Sequence, residues 1–276
     1  MIDLHTHTTA SDGRRSPASL VAAAVAAGVT VLGVTDHDTV AGCGPAAAAC
    51  ADAGIEFVPG IELTSVRDAA DVHVLGYFID TASPPLVSFL ADQRRRRVDR
   101  VRQMILRLAV SGVELDADAV LKPGIDDPAT SAGRPWIARA LVEGGYCATT
   151  GEAFERWLSR GRPAFVPRLA PPPEDVFARI HAAGGVASIA HPGLVGRDEW
   201  IPEFAEAGLD ALEAYHTKQD GEQTARYIAL ADRLGLAVSG GSDYHGDESH
   251  GAVSPGSVSL PRAAYDALLR RKAAAR

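Results

Sequence analysis

The segment MIDLHTHTTASDG, residues 1–13, places two histidines and a carboxylate at the end of a short strand. Its first half alternates apolar with polar residues, as a partly buried strand requires. Alternate residues of a strand point the same way, so His5 and His7 face one centre. Asp12 follows from a turn of small residues. Two imidazoles and a carboxylate suggest a metal site. Paired histidines also occur on strands without a metal, so the other ligands must come from elsewhere in the chain.

The composition is that of an ordinary globular protein. The chain has 276 residues, 46% of them hydrophobic, and a formal net charge of −8, which is enough apolar material for a sizeable core. The negative charge argues against broad attraction to duplex DNA or an anionic membrane. Three cysteines form no CxxC pair, so neither a disulfide framework nor a thiolate zinc site is expected. With no signal peptide and no membrane-length apolar run, we expect a cytoplasmic protein.

Apolar, β-branched runs alternate with helical segments along much of the chain. Polar residues recur where each predicted strand ends, and in (β/α) barrels that end carries the active site. The alternation therefore predicts an α/β barrel with its site at the C-terminal mouth. The predicted strands after the first are 29–35, 55–63, 72–78, 186–190, 209–215 and 236–240.

The pattern changes between residues 84 and 166, where no convincing apolar strand occurs. A long helix is predicted over 86–110, with shorter helices over 135–143 and 151–159, and a Gly/Pro/Asp-rich link at 122–128. We predict that 84–166 is a helical insertion that caps the active-site mouth. The barrel domain is then discontinuous and consists of residues 1–83 and 167–276.

Nine side chains with nitrogen or oxygen donors lie at or near the predicted strand ends. They are too many for one ion and suit two or three divalent ions, with one carboxylate bridging. Donors without sulfur fit manganese, iron or zinc, and the sequence does not choose among them. Any one histidine has the alternative role of a hydrogen-bonded structural residue, but nine such residues in one alternation indicate a metal centre. The nine are His5, His7, Asp12, His37, Glu62, His73, His191, Asp243 and His245.

Six motifs in order resemble the PHP (polymerase and histidinol phosphatase) family over nearly the whole chain. The resemblance implies a distorted (β/α)7 TIM-like barrel with a trinuclear site. One ion would take His5, His7, Glu62 and Asp243; a second would share Glu62 and take His73 and His191; the third would take Asp12, His37 and His245. The motifs are His5-Thr6-His7 with Ser11-Asp12-Gly13, Asp36-His37-Asp38-Thr39, Gly60-Ile61-Glu62, Val72-His73-Val74-Leu75-Gly76, Ala190-His191-Pro192 and Ser242-Asp243-Tyr244-His245.

Within that family the chain is most similar to stand-alone phosphoesterases that act on nucleotides. Two positions depart from these relatives. Trp136 stands where a histidine commonly follows Arg-Pro, and Lys218-Gln219-Asp220 replaces a more usual histidine-serine stretch. The segments that carry the similarity are Gly133-Arg134-Pro135, Ile137-Ala138-Arg139-Ala140-Leu141, Gly161-Arg162-Pro163-Ala164 and Glu222-Gln223-Thr224-Ala225-Arg226-Tyr227.

The resemblance predicts a metal-dependent phosphatase or phosphodiesterase for a nucleoside monophosphate or 3′,5′-bisphosphate. Several divalent ions offset the charge of the phosphate and lower the pKa of a bridging water, so a metal-bridging hydroxide at the trinuclear site is the predicted nucleophile. Three alternatives remain open. The substrate could be another small metabolite such as histidinol phosphate, the enzyme could trim short RNA from its 5′ end, or the chain could be a catalytically silent metal-binding module.

Further residues have candidate roles in substrate binding or proton transfer. His216 is predicted to bind substrate or protonate the leaving alkoxide, with a plain hydrogen-bonding role as the alternative. Asp38, like Asp36, is predicted to orient ligand imidazoles. Arg134 and Arg162 are candidate phosphate clamps, with structural ion pairing as the alternative. Two features have structural alternatives: Trp136 is a stacking platform or a core residue, and the arginine-rich stretch 94–107 is a solvated helix face or an RNA track.

Overall fold

Seven strands form one sheet in chain order, and the sheet curls into a nearly closed barrel. The computed structural model describes residues 1–246 and 254–274. The apolar runs predicted as strands all lie in the sheet, which confirms the α/β barrel class. The strands are β1 (Ile2–Asp3), β2 (Val31–Val34), β3 (Glu56–Arg67), β4 (Ala70–Tyr77), β5 (Val186–Ile189), β6 (Ala211–His216) and β7 (Ala237–Gly241).

The first and last strands lie side by side, so the two ends of the sheet meet. The backbone N–H of Leu4 donates to the carbonyl of Gly240 at 3.2 Å, and the N–H of Asp243 donates to the carbonyl of His5 at 2.8 Å. A Cβ atom at Gly241 would lie 2.3 Å from the backbone nitrogen of His5. Glycine is therefore required at this position for β7 to approach the histidine motif.

Helices cover the outside of the barrel. Ser16 caps the first of them by accepting from the N–H of Ser19, and Asp220 forms a capping box with Gln223 at a later one, which satisfies N–H groups that a helix start leaves open. The barrel helices are α1 (Pro17–Ala26), α2 (Cys43–Ala53), α7 (Pro173–Ala182), α8 (Pro192–Val195), α9 (Ile201–Glu206), α10 (Gly221–Arg233) and α11 (Arg262–Ala274). In the described part of the chain, no helix is both long and apolar enough to cross a membrane.

The strand–helix alternation fails between β3 and β4. These strands form a hairpin whose turn residues Asp68 and Ala69 have φ angles of 48° and 60°, as tight hairpin turns demand. β4 is consequently antiparallel to both β3 and β5. His73 therefore reaches the barrel mouth from the middle of β4, and not from a strand end as the sequence pattern suggested.

Between β4 and β5 the chain forms helices with an apolar core of their own. They are α3 (Pro84–Val110), α4 (Ala117–Asp126), α5 (Arg134–Glu143) and α6 (Thr150–Ala153), which continues as a π-helical turn over Phe154–Leu158. Leu108, Leu121, Ile137 and Leu141 belong to that core. The separate core supports a helical insertion over 84–166, and we retain this division of the chain as a proposal.

The predicted link at 122–128 was wrong, because α4 continues through Pro123 to Asp126. Asp116 caps this helix and Leu121 anchors it in the apolar core. Packing thus outweighs the helix-breaking tendency of an internal proline.

Candidate metal centre

Glu62 lies at the centre of the barrel mouth with a different set of imidazoles facing each of its oxygens. Its Oε1 is 2.7 Å from Nδ1 of His73 and 3.1 Å from Nε2 of His191. Its Oε2 is 3.1–3.4 Å from one ring nitrogen each of His37, His7 and His5. The carboxylate is 1% exposed. A carboxylate with both oxygens surrounded by imidazole donors is arranged to bridge two cations.

Asp243 completes one side of this cluster. Its Oδ1 lies 3.2 Å from Nε2 of His5 and 3.2 Å from Nε2 of His7, and those two nitrogens are 3.1 Å apart. Asp243 has a φ of 54°, a left-handed conformation that is uncommon outside glycine and often found at functional sites. Its backbone bond to His5 holds it there.

Asp12 gathers a further group on the other side of His7. Its carboxylate lies 3.4 Å from Nε2 of His245 and 3.7 Å from Nε2 of His37. Donor atoms of His7, Asp12, His37 and His245 all lie within 4.8 Å of one another. The structure thus brings all nine predicted ligands to one mouth.

The donor set fits divalent cations. Four buried ring nitrogens form no hydrogen bond within the described residues: Nδ1 of His7, Nδ1 of His37, Nε2 of His73 and Nδ1 of His191. Buried polar atoms without hydrogen-bond partners are costly. Coordination of a metal ion by one nitrogen of an imidazole is one way to offset this cost. Burial raises the pKa of Asp12, Glu62 and Asp243, but the neighbouring imidazoles outweigh it and hold each pKa well below its usual range. The carboxylates are therefore ionised.

Protons compete with a cation for three of the imidazoles, His5, His7 and His191, whose pKa values are all raised. Burial opposes protonation of His7, yet hydrogen bonds with Asp243 and Glu62 raise its pKa to about 9. Burial also opposes protonation of His5, but Glu213, Asp243 and Glu62 raise its pKa well above the usual value. A metal ligand must be unprotonated, so cation binding at this mouth displaces protons.

Glu213 belongs to the centre although no sequence motif pointed to it. Its Oε1 is 2.8 Å from Nδ1 of His5, and its Oε2 accepts from the backbone N–H of His191 at 2.7 Å. The side chain is fully buried. It fixes the ring of one ligand and the backbone of another, where His191 has a left-handed φ of 30°. The available signal was a carboxylate inside an apolar strand, which rarely occurs without a partner.

Within the described residues, the hydrogen bonds of Asp36 and Asp38 run to groups other than the ligand imidazoles. Asp36 accepts from the N–H and hydroxyl of Thr8 and from the hydroxyl of Ser11, so it shapes the loop before Asp12. Asp38 accepts from the N–H of Thr64 and pairs with Arg97. Orientation of imidazoles by these two carboxylates stays a prediction, because the donors found for Asp36 are a backbone N–H and two hydroxyls, and those found for Asp38 are a backbone N–H and a guanidinium.

His216 reaches the mouth in a defined tautomer. Its Nδ1 accepts from the N–H of Lys218 at 3.0 Å, so the proton of the neutral ring is on Nε2. That nitrogen lies 3.3 Å from Oδ2 of Asp243. A ring with this proton is a hydrogen-bond donor toward the site and cannot also bind a cation through Nε2.

The other three residues predicted to bind substrate, besides His216, lie in different surroundings. Trp136 is 5% exposed in the core of the helical region, and its indole N–H donates to the carbonyl of Ser11 at 3.0 Å; this favours the core alternative. Arg134 is half-buried beside Asp71, at 3.9 Å. Arg162 is exposed in a surface depression with Trp157, and none of the nine predicted ligands lines that depression.

Comparison with known proteins places this arrangement among related enzymes. The family model described as PHP domain matches residues 3–120. The chain is 34% identical to the 5′-3′ exoribonuclease Rnm of Escherichia coli K12, over 88% of this chain and 84% of that protein. It is 35% identical to the 3′,5′-nucleoside bisphosphate phosphatase of Chromobacterium violaceum, over 88% and 87%. A crystal structure from Bifidobacterium adolescentis, described as a metal-dependent phosphoesterase, superposes with a TM-score of 0.88 at 33% identity, over 98% and 95% of the two chains.

Proposed function

The chain belongs to the PHP domain family and is a metal-dependent phosphoesterase, and we propose that its substrate is a nucleoside monophosphate or 3′,5′-bisphosphate. The bisphosphate phosphatase of Chromobacterium violaceum, similar over most of both chains, supports this substrate class. The geometry supports the same reaction type, because imidazoles and carboxylates gathered at one mouth bind the cations that phosphate ester hydrolysis requires.

The observation that carries the proposal is the position of Glu62 between two groups of imidazoles. We assign to it the bridging role, with His5, His7 and Asp243 on one side and His73 and His191 on the other. Asp12, His37 and His245 would hold a third ion. Two or three ions of manganese, iron or zinc suit this set of nitrogen and oxygen donors.

The bound cations would supply charge neutralisation for the phosphate and a water that ionises near neutral pH. This chain's own residues do the rest. Glu213 and the carboxylates keep the imidazoles aimed at common points. His216 presents its Nε2–H to the same mouth, and we propose that this N–H donates a hydrogen bond to a substrate oxygen.

The 5′-3′ exonuclease activity on short RNA is a second candidate. It is favoured by the similarity to the exoribonuclease of Escherichia coli. Both activities hydrolyse a phosphate ester at one cation cluster. They differ in the length of nucleic acid that the barrel mouth accommodates beyond the phosphate that reacts. The net charge of −8 disfavours long polynucleotides, which bind through many cationic contacts.

The test is a screen for the release of phosphate and of mononucleotides, on protein stripped with EDTA and reloaded separately with Mn²⁺, Fe²⁺ or Zn²⁺. The substrates are adenosine 3′,5′-bisphosphate, the 3′- and 5′-monophosphates, histidinol phosphate and a 5′-phosphorylated RNA pentamer. We expect metal-dependent turnover that is fastest on the nucleotides. Preferred turnover of histidinol phosphate would overturn the nucleotide assignment, and preferred release of mononucleotides from the pentamer would establish the exonuclease.

A further inference from the structure

The segment from Trp157 to Phe165 carries positive charge and no acidic residue. Residues 156–168, RWLSRGRPAFVPR, contain four arginines and no aspartate or glutamate. The whole chain is divided in a similar way. Residues 84–166 have 13 lysines and arginines and 10 acidic residues, whereas the remainder of the chain has 14 and 25. The stretch 84–166 is therefore the positively charged part of an acidic protein, and we call residues 157–165 its basic loop.

Backbone hydrogen bonds fold the basic loop into a defined shape. The N–H of Ala164 donates to the carbonyl of Trp157 at 3.1 Å, and the N–H of Phe165 donates to the carbonyl of Arg162 at 3.0 Å. Arg107, on α3, donates from Nη1 to the carbonyl of Phe165 at 2.5 Å. Because the loop closes on itself and is fastened to a helix, its side chains have a fixed arrangement.

Guanidinium groups and aromatic rings lie together on the surface of this loop. The guanidinium carbon of the exposed Arg160 lies 5.8 Å from the ring centre of the half-buried Phe165. The exposed Arg162 lines a depression of about 430 Å³ with the half-buried Trp157. In the described part of the chain, Arg107, Arg160 and Arg162 form no ion pair with a carboxylate. Their charges are therefore available to an anion from outside the protein.

The basic loop is near enough to the metal centre for one short strand to reach both. Arg168, three residues after Phe165, donates from Nη1 to the hydroxyl of Thr64 at 3.1 Å. Thr64 follows Glu62 by two residues on β3. Three extended residues span about 10 Å, and an arginine side chain and two strand residues add about 7 Å each, so Phe165 is within about 25 Å of Glu62. A stacked strand advances about 3.4 Å for each nucleotide, so about seven nucleotides cover this distance.

We propose that the basic loop binds the part of a single-stranded RNA that lies downstream of the reacting nucleotide. This inference rests on the proposed function and concerns its second candidate, the exonuclease activity. Guanidinium groups bind the phosphates of the strand, and Phe165 and Trp157 offer ring surface on which bases stack. The basic loop thus favours an oligonucleotide over a mononucleotide, although it does not contact the phosphate that reacts.

The chemistry of the loop favours an unpaired strand over other anionic partners. An acidic peptide matches the charge of Arg160 and Arg162 but has no base to stack on the two rings. A duplex keeps its bases stacked on each other, and the acidic remainder of the protein repels its second strand. An unpaired strand uses both the charge and the rings.

The experiment measures the binding of a 5′-phosphorylated RNA octamer to the metal-loaded protein by fluorescence anisotropy. The octamer carries a 3′ fluorophore and an uncharged methylphosphonate at its first linkage, which resists hydrolysis. The proteins are the wild type, Arg160→Gln, Phe165→Leu and Arg95→Gln. Arg95 is the matched control because it is an exposed arginine of the same stretch, is paired with Asp92 and loses the same charge. Turnover of adenosine 5′-monophosphate, metal content and melting temperature are measured for every protein.

We expect Arg160→Gln to weaken octamer binding about 10-fold, the worth of one charge-assisted hydrogen bond. The slope of log Kd against log salt concentration should fall by about 0.7, as the loss of one phosphate contact requires. Phe165→Leu should weaken binding about 5-fold or more without changing this slope. Arg95→Gln should bind as the wild type does, and turnover of the monophosphate should be unchanged in all three variants.

The outcomes separate the binding surface from the reaction. Octamer binding equal to that of the wild type in folded Arg160→Gln and Phe165→Leu would overturn the surface. Competition by octaglutamate as strong as by unlabelled octamer would also overturn it and assign the loop to an acidic peptide. A wild type that hydrolyses the monophosphate but does not bind the octamer overturns the surface alone. A wild type that binds the octamer but releases no phosphate from any nucleotide overturns the proposed function and supports the surface.

Discussion

The barrel mouth and the helical region beside it differ in what fixes the position of a charged side chain. At the mouth, strand ends and short loops deliver His5, Asp12, Glu62 and Asp243 to one point, and backbone hydrogen bonds between strands hold them there. In the helical region, residues 84–158, the position of an arginine depends on how α3 and α5 pack. The local sequence pattern thus determines the positions of charged side chains at strand ends. Tertiary contacts determine the positions of charged side chains on the helices.

The arginines of α3 illustrate the second case. Arg95 is exposed, whereas Arg97, two residues further along, is buried against Asp38. A single run of four arginines therefore divides into solvated and buried members. The solvated-face interpretation of this stretch holds for Arg95 and fails for Arg97.

The largest effect should come from the bridging carboxylate. Glu62→Gln removes the charge between the two groups of imidazoles, so we expect kcat/KM to fall by about three orders of magnitude or more, since cation-based stabilisation is worth several kcal/mol. Metal content should fall with it. Glu56→Gln, at the first residue of the same strand, is the control. Full activity of Glu62→Gln at full metal occupancy would show that Glu62 is not a metal ligand.

Trp136 tests the helical side of the comparison. It is 5% exposed in the core, so Trp136→Ala should reduce the free energy of unfolding by about 3–5 kcal/mol. Chemical denaturation measures this. Kinetic losses should be equal on p-nitrophenyl phosphate and on nucleotides. A stable variant that loses only aromatic substrates would show instead that the indole stacks on a base.

The residues at the barrel mouth were predicted from the sequence more accurately than the course of β4 and the partners of Glu213, and the reason is physical. Period-two strands and turn residues are local signals, so the barrel and the gathering of His5, His73, His191 and the other ligands followed from them. The course of β4 did not, because the hairpin at Asp68 resembles any polar loop. Glu213 was missed because a single carboxylate in a strand has no motif, and its role depends on a partner 208 residues away.

Glu213 also offers a smaller, sharper test of the mouth. Glu213→Gln retains the shape of the side chain but weakens its bonds to His5 and His191. Partners that orient metal ligands usually contribute 10- to 100-fold in metal affinity, so we expect a loss of about that size by competition with a chelator. The melting temperature of the metal-free protein serves as the control for folding. Unchanged metal affinity would limit Glu213 to a structural role.

The last prediction concerns pH and distinguishes protons from cations as occupants of the mouth. In the metal-free protein the pKa of His7 is raised from 6.5 to about 9. A group whose pKa is raised on folding stabilises the fold below its unfolded pKa, and that contribution is lost as the pH rises through the folded pKa.

The melting temperature of EDTA-treated protein should therefore decline between about pH 6.5 and 9, by about 2–4 °C for each kcal/mol lost. The lowered pKa values of Glu62, Asp12 and Asp243 affect stability only in acid, whereas the raised pKa values of His5 and His191 act in the same direction as that of His7 and add to the decline. With Mn²⁺ bound, the coordinating ring nitrogen of His7 carries no proton, so the decline should disappear and metal affinity should rise over the same range. The measurement is differential scanning fluorimetry with and without Mn²⁺. Parallel declines in both samples would mean that cations do not replace protons at His7.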